Sequence, residues 1–246
     1  MFDIALLLSA AFVAGALNAV AGGGSFLTLP VLMFTGVPAV VANATGTVAL
    51  LPGYMAGAWG FREDTQALPG LSMRRLVVLS LVGGATGAAL LLVTPDATFR
   101  RVVPWLLLAA TALFAFGPRL RQLVTGHTPS PLKAVASVLS VTAYGGYFNG
   151  GLGILLLALF GLLGQTNLNA MNGLKNLVSA LLTSIAVVIY AAGGVVQWPQ
   201  ALMMMVAATA GGYGGARVAR RIPAHWMRRG IVATGLIMAA IFFYHQ

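Results

Sequence analysis

The chain has no cysteine and very little acid. Of its 246 residues only 7% are charged, and the acids are Asp3, Glu63, Asp64 and Asp96 alone. A soluble domain carries roughly 25% charged residues. Without cysteine there is no disulfide, no thiolate metal site and no thiol redox chemistry. The three histidines, His127, His225 and His245, stand at the edges of apolar runs. No metal-ligand cluster is therefore expected. The four acids also fall in loops or at segment ends. That argues against cation substrates and against a proton or sodium relay built on intramembrane carboxylates. Nothing in the sequence calls for a cofactor.

What is present is apolar. Hydrophobic residues make up 59% of the chain, and at ~20 residues per span there is room for about eight to ten membrane segments. The reading is an all-α polytopic membrane protein whose first partner is the lipid bilayer. The net charge of +10 would suggest nucleic acid in a soluble protein. Here it is better read as arginine placed in cytoplasmic loops, with no nucleic-acid partner. The opening Met1-Phe2-Asp3 lacks the positive start of a secretory signal, so the first apolar run is expected to be an uncleaved membrane segment.

Hydropathy divides the chain into residues 3–21, a short 25–35, then 38–60, 73–93 and 99–117. A polar stretch follows, and then 132–149, a short 152–163, 170–191, 198–216 and 227–244. This gives a first transmembrane repeat at 1–117, a cytoplasmic linker at 118–131 and a second repeat at 132–246. Gly36, Gly83, Gly84 and Gly87 recur at Gly164, Gly211, Gly212 and Gly215, all at one offset of 128. Basic residues cluster in three places: Arg62, Arg74 and Arg75; Arg119, Arg121 and Lys133; and Arg217, Arg220, Arg221, Arg228 and Arg229. Five segments per half put all three clusters on one side, the cytoplasm. Both termini then lie outside. Because five is odd, the halves are expected to be inverted repeats about an axis in the membrane plane. A re-entrant hairpin built from the first two segments of each half has the same parity as two crossings, so charge does not separate the two.

Each half also breaks its hydrophobic run with glycine. The first break is Gly22-Gly23-Gly24-Ser25; the second is Asn149-Gly150-Gly151-Leu152-Gly153. The following short segments, 11 and 12 residues long, reach about 17–18 Å as helices, short of a ~30 Å hydrocarbon core. Something is therefore discontinuous at membrane depth, where unpaired backbone groups must face protein or water. Helices restarting after such breaks point free N–H groups and a positive dipole end inward. Two such ends form an anion site. The alternative is that these glycines serve close helix packing. That packing role is assigned to Gly53, Gly57, Gly83, Gly87, Gly211 and Gly215.

Polar residues follow each short segment: Asn43, Thr45 and Thr47 in the first half, Asn172, Lys175 and Asn176 in the second. Lys175 is the most informative, because a cation inside a membrane segment is costly. It either serves a binding site or snorkels to the nearby interface. Asn18 and Asn149, just before the glycines, either bind substrate or bond helices together.

At these residues the chain resembles the TauE/SafE sulfite exporter family, also known as the toluene sulfonate uptake permease family. The resemblance rests on Gly15, Ala21 to Ser25 and Pro30; on Ala42 to Thr45; on Asn149 to Gly153; and on Asn172 to Asn176. It implies a bacterial inner-membrane transporter of small anions such as sulfite, sulfoacetate or related sulfonates, working by alternating access. Some relatives carry an arginine where this chain has Gly46-Thr47, and a proline common after the second glycines is absent. The expected substrate-binding set is Gly22, Gly23, Gly24, Ser25, Asn43, Thr45, Thr47, Asn149, Gly150, Gly151, Gly153, Asn172, Lys175 and Asn176. The competing functions are an anion channel and an intramembrane enzyme, the latter with Ser25 and Lys175 as its only available nucleophile and base.

Overall fold

The structure is a computed structural model that describes residues 2–124 and 130–219, with scattered positions between 229 and 244. Arg220, Arg221, Arg228, His127, His225 and His245 lie outside the described residues, as does much of the last segment, 227–244. Within the described residues the chain is helical and has no strand. The helices are α1 (Phe2–Ala21), α2 (Ser25–Phe34), α3 (Ala39–Gly60), α4 (Met73–Val93), α5 (Asp96–Val124), α6 (Pro131–Tyr147), α7 (Leu152–Leu162), α8 (Leu168–Ala192) and α9 (Trp198–Ala219). Three of them, α3, α4 and α8, are long and apolar enough to cross a membrane.

Local chemistry explains the boundaries. Ser72 caps α4 by accepting from Arg75 N at 3.4 Å. The Asn167 Oδ1 caps α8, accepting from Asn169 N at 2.9 Å and Ala170 N at 3.2 Å. Such side-chain acceptors satisfy N–H groups that a helix start leaves free. The two short helices stop alike. After α2, Gly36 turns left-handed at φ 86 and Val37 N bonds Leu32 O at 3.1 Å. After α7, Gly164 does so at φ 90 and Gln165 N bonds Phe160 O at 2.9 Å. Both are glycine C-terminal caps, at the repeat offset found in the sequence. One boundary differs from expectation. Pro118, Arg119 and Arg121, read as linker, continue α5 to Val124; proline inside a membrane helix is tolerated where neighbours re-satisfy the backbone.

Helices α3 and α8 are buried over most of their length and α4 much less, so α3 and α8 form the centre. Around them α1 packs with α9, α4 with α6, α8 with α4, and α3 with α9; the short α2 lies on α3 and α7 on α8. Laying α1 to α4 onto α6 to α9 in order turns each partnership into another of the set. The α1–α9 pair becomes α6–α4, and α3–α9 becomes α8–α4.

Small residues make the close pairs. Gly83 lies against Thr142, Gly87 against Ala143 and Tyr147, and Gly211 against the Phe12 carbonyl. A Cβ on Gly57 would stand 2.6 Å from Asn176 Cγ. Gly53 departs from its expected packing role: nothing lies within 4 Å of the place its Cβ would occupy. The side-chain surroundings of Gly215 are outside the described residues.

Contacts also sort the loops onto two ends. Thr142 Oγ1 donates to Leu79 O at 3.1 Å and Gly87 meets Tyr147 N further along, so α4 and α6 run parallel from a common end. Gly173 packs on Phe61 and Thr65, and Gly164 on Pro69, which brings the start of α8 to that same end. Arg62, Arg74, Arg75 and Lys133 thus share one end. At the other end Val40 N bonds Asp96 Oδ1 at 2.9 Å and Gln197 N bonds Thr45 Oγ1 at 3.1 Å.

Candidate functional site

Both glycine clusters interrupt helix. After α1 ends at Ala21, Gly22 adopts φ 75, and Gly23 and Gly24 lead into α2. After α6 ends at Tyr147, Asn149 adopts φ 58 and Gly151 φ 71 before α7 starts. These left-handed conformations suit glycine and, next best, asparagine.

The two breaks touch. A Cβ added to Gly22 would stand 2.6 Å from Gly153 Cα, and one on Gly153 would stand 2.7 Å from Gly22 Cα. The same added atom on Gly153 would stand 3.3 Å from Lys175 Cδ. Lys175 therefore reaches the point where the breaks meet. It is 1% exposed, and among the described residues it has no hydrogen-bond or ion-pair partner. Residues far apart in sequence thus converge: Gly22 from the α1–α2 break, Gly153 from the α6–α7 break and Lys175 from the central helix α8.

At the breaks and along the helices that carry them, several buried polar atoms have no partner among the described residues. They are Asn18 Oδ1 on α1, Ser25 Oγ and Thr28 Oγ1 on α2, Asn149 Nδ2 at the second break, and Ser179 Oγ and Thr183 Oγ1 on α8. Each such atom costs about 1–3 kcal/mol when left unmade, and native interiors contain few of them. Ser179 and Thr183 follow Lys175 at i+4 and i+8, so the three share one stripe of α8. No backbone carbonyl among the described residues accepts from Gly153 N–H.

The second break is also braced. Asn43 Nδ2 donates to Tyr147 O at 3.0 Å. Tyr144 OH donates to Gly150 O at 2.6 Å, and Tyr190 OH donates to Gly146 O. The bonds to Tyr147 O and Gly146 O take up carbonyls that the end of α6 leaves free, and the bond to Gly150 O holds the break itself. Tyr54 OH donates to Asn149 Oδ1 at 3.2 Å, and Asn18 approaches the same hydroxyl from the first break.

The other expected site residues are placed as follows. Thr45 is turned toward the 193–197 loop, where it accepts from Gln197 N. Thr47 Oγ1 bonds Asn43 O on its own helix at 2.7 Å. Asn172 is half-buried and its Nδ2 bonds Leu168 O at 3.0 Å. Asn176 is buried against Gly57. A Cβ on Gly24 would stand 2.8 Å from Ala14 O, and Gly150 lies against the Phe148 ring. Gly23 is buried between Gly22 and Gly24 in the first break. Ser25 and Lys175 are not hydrogen-bonded to each other.

Sequence reasoning passed over Tyr54, Ser179, Thr183 and the bracing Tyr144 and Tyr190. The hydroxyls had a signal, since polar residues repeat every fourth position after Lys175. The tyrosines had none.

Chemically the site presents an uncompensated cation, hydroxyls, an amide N–H and a backbone N–H in a water-poor interior. Its donors suit a ligand that accepts hydrogen bonds and carries negative charge. Among the described residues no group of His, Asp or Glu is arranged to hold a metal ion.

Comparison with known proteins agrees with the membrane reading. Residues 7–242 match the family described as Sulfite exporter TauE/SafE. A probable membrane transporter protein of Haemophilus influenzae is 27% identical, over 99% of this chain and 95% of that one. The probable membrane transporter protein YfcA of Escherichia coli K12 is 26% identical, over 98% and 90%. A probable membrane transporter protein, ORF9, of a Sinorhizobium species is 26% identical, over 66% and 65%. No solved structure matches.

Proposed function

The chain belongs to the TauE/SafE sulfite exporter family of membrane transporters, and on that premise we propose that it carries small anions past the meeting point of its two glycine breaks. The cargo is sulfur-containing or organic: sulfite, sulfoacetate or a related sulfonate. One observation carries this reading. Lys175 is buried where Gly22 and Gly153 meet, without a counter-ion among the described residues. A lone buried charge is costly unless something pairs with it, and an anion in transit supplies that pair.

Transport proceeds by alternating access, one inverted repeat rocking against the other. Support comes from the packing, whose helix partnerships exchange when the first four helices are laid on α6 to α9. The protein sits in the bacterial inner membrane with its basic end in the cytoplasm and both termini outside. The clustering of Arg62, Arg74, Arg75 and Lys133 at one end supports that orientation.

The test is saturable counterflow of labelled sulfite and sulfoacetate in proteoliposomes. Losing a hydrogen bond to a charged group costs about 1.5–3 kcal/mol, and 1.4 kcal/mol is tenfold. Lys175→Ala is therefore expected to weaken transport by about 10- to 100-fold, with partial rescue by Lys175→Arg. Wild-type counterflow from Lys175→Ala removes the charge from the mechanism. Conductance that never saturates makes the protein a channel instead.

A further inference from the structure

A second place on the molecule has the features of a binding site, remote from the glycine breaks. Where α4 and α6 start side by side at the basic end, an apolar groove of about 300 Å³ is lined by Val78, Leu79, Val135 and the alkyl stems of Arg74 and Arg75, whose exposed guanidinium groups stand at its rim. We infer that this groove holds an anionic phospholipid, with the lipid phosphate on Arg74 and Arg75 and the upper acyl chain along Val78, Leu79 and Val135.

Three observations carry this. First, Arg74 and Arg75 have no carboxylate partner among the described residues, whereas the neighbouring Glu63 is taken by Arg62 at 2.9 Å. Paired guanidinium groups present planar forks that match phosphate oxygens. Lys133, two residues before Val135 on the same first turn of α6, adds a third cation at this end. Second, every other lining residue is aliphatic. A free inorganic anion gains nothing from such walls, while an acyl chain does. Third, the apolar wall does not end at the groove. Val78 is 57% exposed and Leu132 78% exposed, so the lining continues onto the outer surface of α4, which is long and apolar enough to cross a membrane, and of α6. A basic pocket between transmembrane helices, opening onto an apolar face, is a recurring lipid headgroup site. Simple topological arginines need none of these walls.

The experiment uses the full chain in neutral detergent, with native mass spectrometry for retained lipid and thermal unfolding as a second readout. Phosphatidylglycerol is added in one arm, phosphatidylcholine in another and inorganic phosphate in a third. Wild type is expected to retain phosphatidylglycerol and to unfold about 3 °C higher in its presence, since a ligand that binds only the folded state stabilises it. R74Q/R75Q is expected to lose both effects. V78W fills the groove from an exposed position while keeping both arginines, and is expected to lose both effects as well. Three results overturn the inference: equal stabilisation by phosphatidylcholine, equal stabilisation by inorganic phosphate, or retention of phosphatidylglycerol by V78W at the wild-type level.

Discussion

The two glycine breaks touch each other and interrupt their helices in the same way, yet their polar groups are held differently. At the second break Asn43, Tyr144 and Tyr190 each bond a carbonyl that the break exposes, and Tyr54 holds Asn149. At the first break and the start of α2, Asn18 Oδ1, Ser25 Oγ and Thr28 Oγ1 have no partner among the described residues, against Asn149 Nδ2 at the second break. The likeness reflects backbone geometry, which glycine at both places permits. The difference lies in side chains from both halves: Asn43 and Tyr54 on α3 of the first half, and Tyr144 and Tyr190 on α6 and α8 of the second, all brace the second break. A braced break is suited to remain a fixed wall. A break with unmade hydrogen bonds is suited to exchange partners with a ligand.

The largest effect is expected from destroying what the breaks share. Gly22→Val places a branched side chain at φ 75 against Gly153 Cα, 2.6 Å from the new Cβ. Overpacking costs about 1–3 kcal/mol, and the left-handed backbone adds about 1–2 kcal/mol for a residue with a Cβ. Thermal unfolding in detergent is expected to fall accordingly, and counterflow to vanish. A variant that folds and transports normally would mean the breaks do not need to meet.

Next comes the brace. Tyr190→Phe keeps the ring and removes the donor to Gly146 O. Leaving that buried carbonyl unsatisfied costs about 1–3 kcal/mol. The expected result is lower thermal stability with substrate affinity little changed, because Tyr190 bonds a carbonyl and is not among the donors the second break offers, Asn149 Nδ2 and Gly153 N–H. If instead affinity falls while stability holds, Tyr190 itself contacts the cargo and is not a brace.

Much of this arrangement was legible in the chain, for physical reasons. Glycine density beside half-length apolar runs marks both breaks, because only unwound backbone reconciles those lengths with a bilayer. Lys175 stands out because buried cations are rare. The braces were not legible. Tyr144 and Tyr190 read as ordinary aromatic residues of membrane helices, and their roles depend on how α6 and α8 face each other. Thr45 looked like Thr47 and Asn43 in sequence, but the helix turns it toward Gln197. Pro118 read as a linker residue, since a polar stretch with Arg119 and Arg121 begins there; α5 nonetheless runs through it to Val124.

A smaller effect with the opposite sign is expected at the first break. Ser25→Ala removes a buried hydroxyl that has no partner among the described residues. Removing an unsatisfied group restores part of its desolvation cost, so stability is expected to rise by up to about 1 kcal/mol. Transport is expected to weaken, because the hydroxyl's proposed partner is the anion. Separate measurements of unfolding and of counterflow check the two signs. A loss of stability would show that Ser25 Oγ is satisfied within the protein, and the unbraced character of the first break would go with it.

The smallest effect is expected at Gly53, on α3 but away from both breaks. Nothing lies within 4 Å of the position its Cβ would take, whereas Gly57, one turn later, has Asn176 Cγ at 2.6 Å. Alanine is favoured over glycine in a helix interior by about 0.5–1 kcal/mol. Gly53→Ala is therefore expected to raise stability by about half a kcal/mol and leave transport unchanged. Gly57→Ala pushes on Asn176, next in sequence to Lys175, and is expected to slow counterflow. Equal behaviour of the two variants would mean that α3 and α8 do not stay in this close contact while the protein works, and that the central pair moves together with the first break.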